Sequence, residues 1–171
     1  MGRASWRIWL VAACAAVACG WFVLSGSTDE QKIRERFVEL LDAANRISRV
    51  PVLEQIAIVR DVGSALAPQI GGWIRNGTSE RQFSVSRREV EERALGALRS
   101  GWSDIEVSIS GLAISVGKGA AEAEMEVHIL GGIKGVEGKF YEHWGAKLAL
   151  TKIEGEWVIT QADGTNLRES R

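Results

Sequence analysis

Residues 8–24, IWLVAACAAVACGWFVL, form one apolar run without a charged or amide side chain, and beyond it the apolar positions become periodic. Ser27 and Glu30 have the spacing of a capping box, and Ile33, Phe37, Leu40, Leu41 and Ala44 then recur at helical intervals. This predicts an amphipathic helix that breaks over residues 46–50. Pro51 suits the first turn of a second helix, on which Val52, Ile56, Val59 and Val62 share a face, with Leu66 further along. Residues 69–77, which hold Trp73, read as a loop. Residues 81–85 alternate and predict one short strand. Ser86 and Glu89 make a second capping box, opening a helix to about Arg99 with Val90, Ala94, Leu95, Ala97 and Leu98 inside.

From Trp102 the period changes to two. Ile105, Val107 and Ile109 alternate with polar residues, and the phase slips to Leu112, Ile114 and Val116 across Gly111, which predicts a bulge there. Gly117-Lys118-Gly119 is a hairpin turn. Ala121, Ala123, Met125, Val127 and Ile129 then alternate with Glu122, Glu124, Glu126 and His128, a half-buried strand. A glycine-rich connection over residues 131–138 leads to a strand over 140–152. Glu154-Gly155 turns the chain into a last strand over 156–161, and residues 162–171 read as a polar tail.

The apolar run sets the expected address. Its 17 residues span about 25 Å as a helix, and Trp6, Trp9 and Trp21 can act as interfacial anchors. Arg3 and Arg7 precede it, whereas Asp29 and Glu30 follow the spacer of residues 25–28. The positive-inside rule then places residues 1–7 in the cytoplasm and the remainder outside a bacterial inner membrane. Two alternatives involve processing: cleavage after Ala16-Val17-Ala18, or a lipoprotein acylated at Cys19. Each of the three exports the domain.

Composition narrows the rest. Of 21 Lys and Arg, Arg3 and Arg7 precede the run, leaving 19 against 22 acids in the remainder. That balance, with no basic stripe, excludes a nucleic-acid footprint. Cys14 and Cys19 both lie within the run, so the domain beyond it has neither disulfide nor thiolate site and depends on packing. It contains no glycine-rich phosphate loop, Ser/His/Asp set or cofactor motif, and no cofactor is expected.

The order helix, helix, short strand, helix and four long strands resembles the NTF2-like (SnoaL-like) superfamily. The stretches that carry it are residues 81–99, the hairpin 105–130 and the closing pair 140–161, within a domain of residues 29–161. The resemblance implies an α+β fold in which three helices pack on a curved, mostly antiparallel sheet, forming a cone. It also implies that function must be argued from sites, because the superfamily includes isomerases, dehydratases, cyclases, transport factors and assembly subunits.

Enzymes of this family place a general base in the cone. Glu142 shares the inward phase of Phe140 and Trp144, where a carboxylate among apolar groups could act as base; exposure at the cone mouth or pairing with an arginine is the plainer reading. Trp73, Phe83, Trp144 and Trp157, with Trp102, could line a ligand pocket, although a cysteine-free domain needs such residues as core. Tyr141, His143 and Lys147 share the opposite phase, as do Glu124, Glu126 and His128 on the preceding strand. Imidazole and carboxylate can ligate zinc; cross-strand charge pairing is the reading adopted, and no metal is expected. The expected function is a membrane-tethered, non-enzymatic interaction module that dimerises or meets a membrane protein through this sheet face. The alternative is a small-molecule binder or an isomerase or dehydratase using the cone, with Glu142 as base.

Overall fold

A computed structural model describes residues 28–167. The expected stub of residues 1–7, the anchor at 8–24 with Cys19, and most of the spacer lie outside the described residues. Among those described, no helix is long and apolar enough to cross a membrane.

Helix α1 (Asp29–Ile47) is capped by Thr28, whose hydroxyl accepts from the Gln31 N–H at 3.3 Å. The cap thus lies one residue beyond the expected Ser27. Asp29 and Glu30 in the first turn favour the positive end of the helix dipole. Ile33, Phe37, Leu40, Ala44 and Ile47 form its buried stripe, and Leu41 lies at the margin. Helix α2 (Val52–Gly63) follows Pro51 and buries Ile58, Val59 and Val62. Val52 does not join that face. It is 60% exposed beside Leu53 at 83%, because burial is confined to the C-terminal half of the helix.

The segment expected as a loop is a strand, β1 (Leu66–Asn76). Pro68, Gly71 and Gly72 disguise its alternation, yet from Gln69 to Asn76 it pairs with β2 (Ser79–Ser86). Helix α3 (Arg87–Arg99) opens with the expected capping box, both reciprocal Ser86–Glu89 bonds being present. The long strands are β3 (Trp102–Val116), β4 (Ala120–Ile133), β5 (Lys139–Ile153) and β6 (Glu156–Asn166). The register shifts between Ser110 and Ala113, across Gly111 at φ 64°, as expected for a bulge. β4 runs on through Gly131 and Gly132, and β6 through Ala162 to Asn166, so neither the expected connection nor the expected tail begins where predicted.

The six strands are ordered β2-β1-β6-β5-β4-β3 in one curved sheet. Every pairing is antiparallel except β1 with β6. The three helices cover one face and bury Phe37, Leu66, Val127, Trp144, Leu148 and Ile159 beneath them. At the β3 edge, α1 supplies partners for a strand that has no further neighbouring strand among the described residues. Asn45 accepts from Val107 N–H at 2.6 Å and donates to its carbonyl at 3.0 Å, while Ser48 accepts from Ile105 N–H at 3.3 Å. An exposed ladder edge is thereby closed. The α+β architecture of three helices on a curved, mostly antiparallel sheet is the expected one, with one strand more.

Candidate functional site

Strand alternation sends one set of side chains under the helices and the other to the opposite face, which carries no helix among the described residues. On that open face, register decides which groups meet. His128 of β4 stands directly opposite His143 of β5, Glu124 opposite Lys147, and Glu126 opposite Gly145. With no side chain at Gly145, nothing on β5 separates the Glu126 carboxylate from His143.

The two imidazoles stack with centroids 4.2 Å apart and planes inclined by 16°. His143 Nε2 lies 3.1 Å from Glu126 Oε2, and His128 Nε2 lies 3.9 Å from the same oxygen. Tyr141 OH is 2.8 Å from His128 Nδ1, and Ser110 Oγ of β3 is 3.3 Å from His128 Nε2. The side chains of His128 and His143 are only 29% and 20% exposed. Lys147 sits between Glu122 at 2.9 Å and Glu124 at 3.1 Å. The bond to Glu122, then that to Glu124, holds its ammonium above the usual lysine value.

Beside this cluster the open face forms a groove of about 690 Å³. Trp73, Arg75, Glu80, Glu124, Lys147 and Asp163 are among its walls. Asp163 accepts from the Trp73 backbone N–H at 2.9 Å, and Arg75 pairs with Glu80 at 2.7 Å. The sheet-face residues singled out from sequence, Glu124, Glu126, His128, Tyr141, His143 and Lys147, are thus brought together. The sequence offers Trp73 as a pocket wall or, with the other large aromatics, as core. It lies on the open face instead, 43% exposed, because β1 points Ile70, Gly72 and Ile74 inward. Ser110, Arg75 and Asp163 were missed. The first was hidden by the neighbouring bulge, the others by strands not recognised or cut short.

On the covered face, Phe83, Trp102, Trp144 and Trp157 belong to the buried core, with the Trp102 and Phe140 rings 4.5 Å apart. Glu142 is half-buried opposite Ile129. It does not line the groove on the open face, nor a second groove of about 530 Å³ between α1 and α2 that includes Val38, Leu40 and Ile58.

The sheet order and helical layer have counterparts among solved structures. A putative calcium/calmodulin-dependent protein kinase II association domain from Xanthomonas campestris superposes with a TM-score of 0.58 at 14% identity, covering 88% of this chain and 96% of its own. An NTF2-like protein from Cytophaga hutchinsonii gives 0.57 at 14% identity, covering 82% and 100%. The fold is NTF2-like. A putative scytalone dehydratase from Novosphingobium aromaticivorans shares it, with a TM-score of 0.53 at 11% identity over 82% of this chain and 88% of that one. No family model matches the sequence, and no curated protein does. At these identities the NTF2-like likeness is one of fold alone.

Proposed function

We propose that this chain is an interaction module that pairs with a second copy of itself through the open face of its NTF2-like sheet. The observation that carries this reading is the groove beside Trp73. It sets a large exposed indole among charges of both signs, Arg75 and Lys147 with Glu80, Glu124 and Asp163. A face of mixed sign can be self-complementary under two-fold rotation, with Arg75 and Lys147 exchanging their carboxylate partners within the chain for those of the other copy. Aromatic and arginine side chains are the usual anchors of such contacts. The likeness to the Xanthomonas campestris structure, a putative association domain, is in keeping with it. The apolar run of residues 8–24 would tether the pair to a bacterial inner membrane with the domain outside. Mass spectrometry tests the anchor: an intact N-terminus supports a membrane helix, and an acylated Cys19 replaces it with a lipid.

Sedimentation of the full chain in density-matched detergent tests the pairing. A dimer is expected, with Trp73→Ala and Lys147→Glu each raising its Kd at least about tenfold, a change of about 1.4 kcal/mol. A strict monomer at micromolar concentration overturns the reading.

A second reading, ligand chemistry in the cone, draws on two inward groups. Glu142 has the phase of a base, and the buried Trp144 indole N–H has no acceptor among the described residues. A small carbonyl compound that raises the Tm of the wild type but not of Glu142→Gln would favour it. Equal shifts in both would remove it.

A further inference from the structure

We infer that Glu126, His128 and His143 form a binding site for one divalent transition-metal ion of the zinc class on the open sheet face. The sequence places these residues on the outward phase of two strands, which is where charge pairs are ordinarily found. Register and rotamer add more than a charge pair requires. The three ligating atoms all lie within 4.8 Å of one another. Metal–ligand bonds near 2.1 Å in tetrahedral geometry place neighbouring ligands about 3.4 Å apart, and the separations of the two histidine nitrogens from Glu126 Oε2, 3.1 and 3.9 Å, bracket that value. The rings stack with planes inclined by only 16°, so both must turn out of that stack to bring their in-plane nitrogen lone pairs to a common point.

A charge pair would account for Glu126 with one histidine. It leaves unexplained a second imidazole stacked against the first, with its far nitrogen held by a hydroxyl. Tyr141 OH at 2.8 Å from His128 Nδ1 has the position of an outer partner of a metal-bound histidine: when Nδ1–H donates to it, the Nε2 lone pair faces the Ser110 hydroxyl at 3.3 Å, which a metal would displace. At His143 an ion takes the place of the Nε2 proton shared with Glu126, and that proton passes to Nδ1. The backbone reinforces the arrangement. His128 and His143 are a cross-strand pair in the middle of two long strands, and Gly145 leaves the carboxylate free to lean across. Both imidazoles therefore rest on rigid elements rather than loops.

The donor set selects the ion. Two nitrogens and one oxygen suit Zn²⁺, Co²⁺, Ni²⁺ or Cu²⁺, whereas Ca²⁺ and Mg²⁺ require an oxygen cage. Three ligands leave a fourth position facing outward, open to water or to a donor from a docked molecule. The inference stands on the geometry of one chain and does not need the dimer.

The test uses the full chain without an affinity tag, purified in detergent, stripped with chelator, and carrying Cys14→Ser and Cys19→Ser to remove thiolates. Titration with Co²⁺ is expected to give the visible d–d spectrum of a low-coordinate site at one ion per chain, displaced by Zn²⁺. His128→Ala and His143→Ala abolish it, Tyr141→Phe weakens binding about tenfold, and Glu124→Gln leaves it unchanged. Circular dichroism of the metal-free variants confirms that each is folded. No binding at micromolar Co²⁺, or an isotherm that His143→Ala does not alter, overturns the site. Metal binding by a monomer, or a dimer that binds none, separates this inference from the pairing proposed above.

Discussion

Gly72 lies where β1 runs parallel to β6, and a Cβ built there would overlap the Ala162 carbonyl and meet the tip of the Phe83 ring. The first of these neighbours is backbone and cannot yield without moving a strand. Gly72→Ala is therefore expected to destabilise the fold by about 3 kcal/mol, the upper part of the range for overpacking, as read from urea unfolding. At Gly131 the obstacle is the Phe140 ring, a side chain that can swing aside; alanine there should cost less. A different residue effect governs acid sensitivity. The Ser86 backbone N–H, and then its hydroxyl, hold the Glu89 carboxyl below the usual glutamate value of 4.5. A depressed carboxylate contributes stability that is complete above its unfolded value and disappears as the pH falls through its folded one. The Tm difference between wild type and Glu89→Gln should thus be largest at neutrality and close on acidification below about pH 4.5. A difference that persists in acid would show that the charge is not involved.

At the scale of elements, the same capping box shows what a sequence can reveal. Ser86 and Glu89 announce the start of α3 because both partners lie within one turn. Ser86→Ala should cost about 1 kcal/mol, measurable as a lowered urea midpoint. The Gly111 bulge and the inward and outward phases of β4 and β5 were equally legible, since alternation is a local property. β1 was not legible. Its identity as a strand depends on β2 on one side and β6 on the other, and Gly72, which with Gly71 suggests a loop, is what the close approach of Ala162 demands. The cluster on the open face was legible as a set of residues but not as a geometry. Phase places His128 and His143 on one surface; only register makes them stack, and only Gly145 lets Glu126 reach across.

At the scale of the molecule, β6 holds the two halves of the sheet together. It pairs with β5 on one side and β1 on the other, so the β1–β2 hairpin joins the sheet solely through the last strand. Residues 162–166 contribute the pairings of Ala162 with Leu148 and Asn166 with Trp144, and those of Gly164 and Thr165 with Ile74 and Arg75. A chain ended after Gln161 should lose cooperative urea unfolding, because the strand would stop before covering Trp144. Retention of a single sharp transition would show that these pairings are dispensable.

That position in the sheet also orders events in time. A growing chain lays down β1 and β2 early, then the long strands from β3 to β5, and synthesises the strand that belongs between them last. Until β6 is in place, β1 and β5 each present an unpaired edge backed by apolar side chains, the state in which incompletely folded chains cross-pair with one another. The interval before β6 docks is therefore when cross-pairing is expected, and aggregation during refolding should rise more steeply with protein concentration in a chain that lacks β6 than in the full chain.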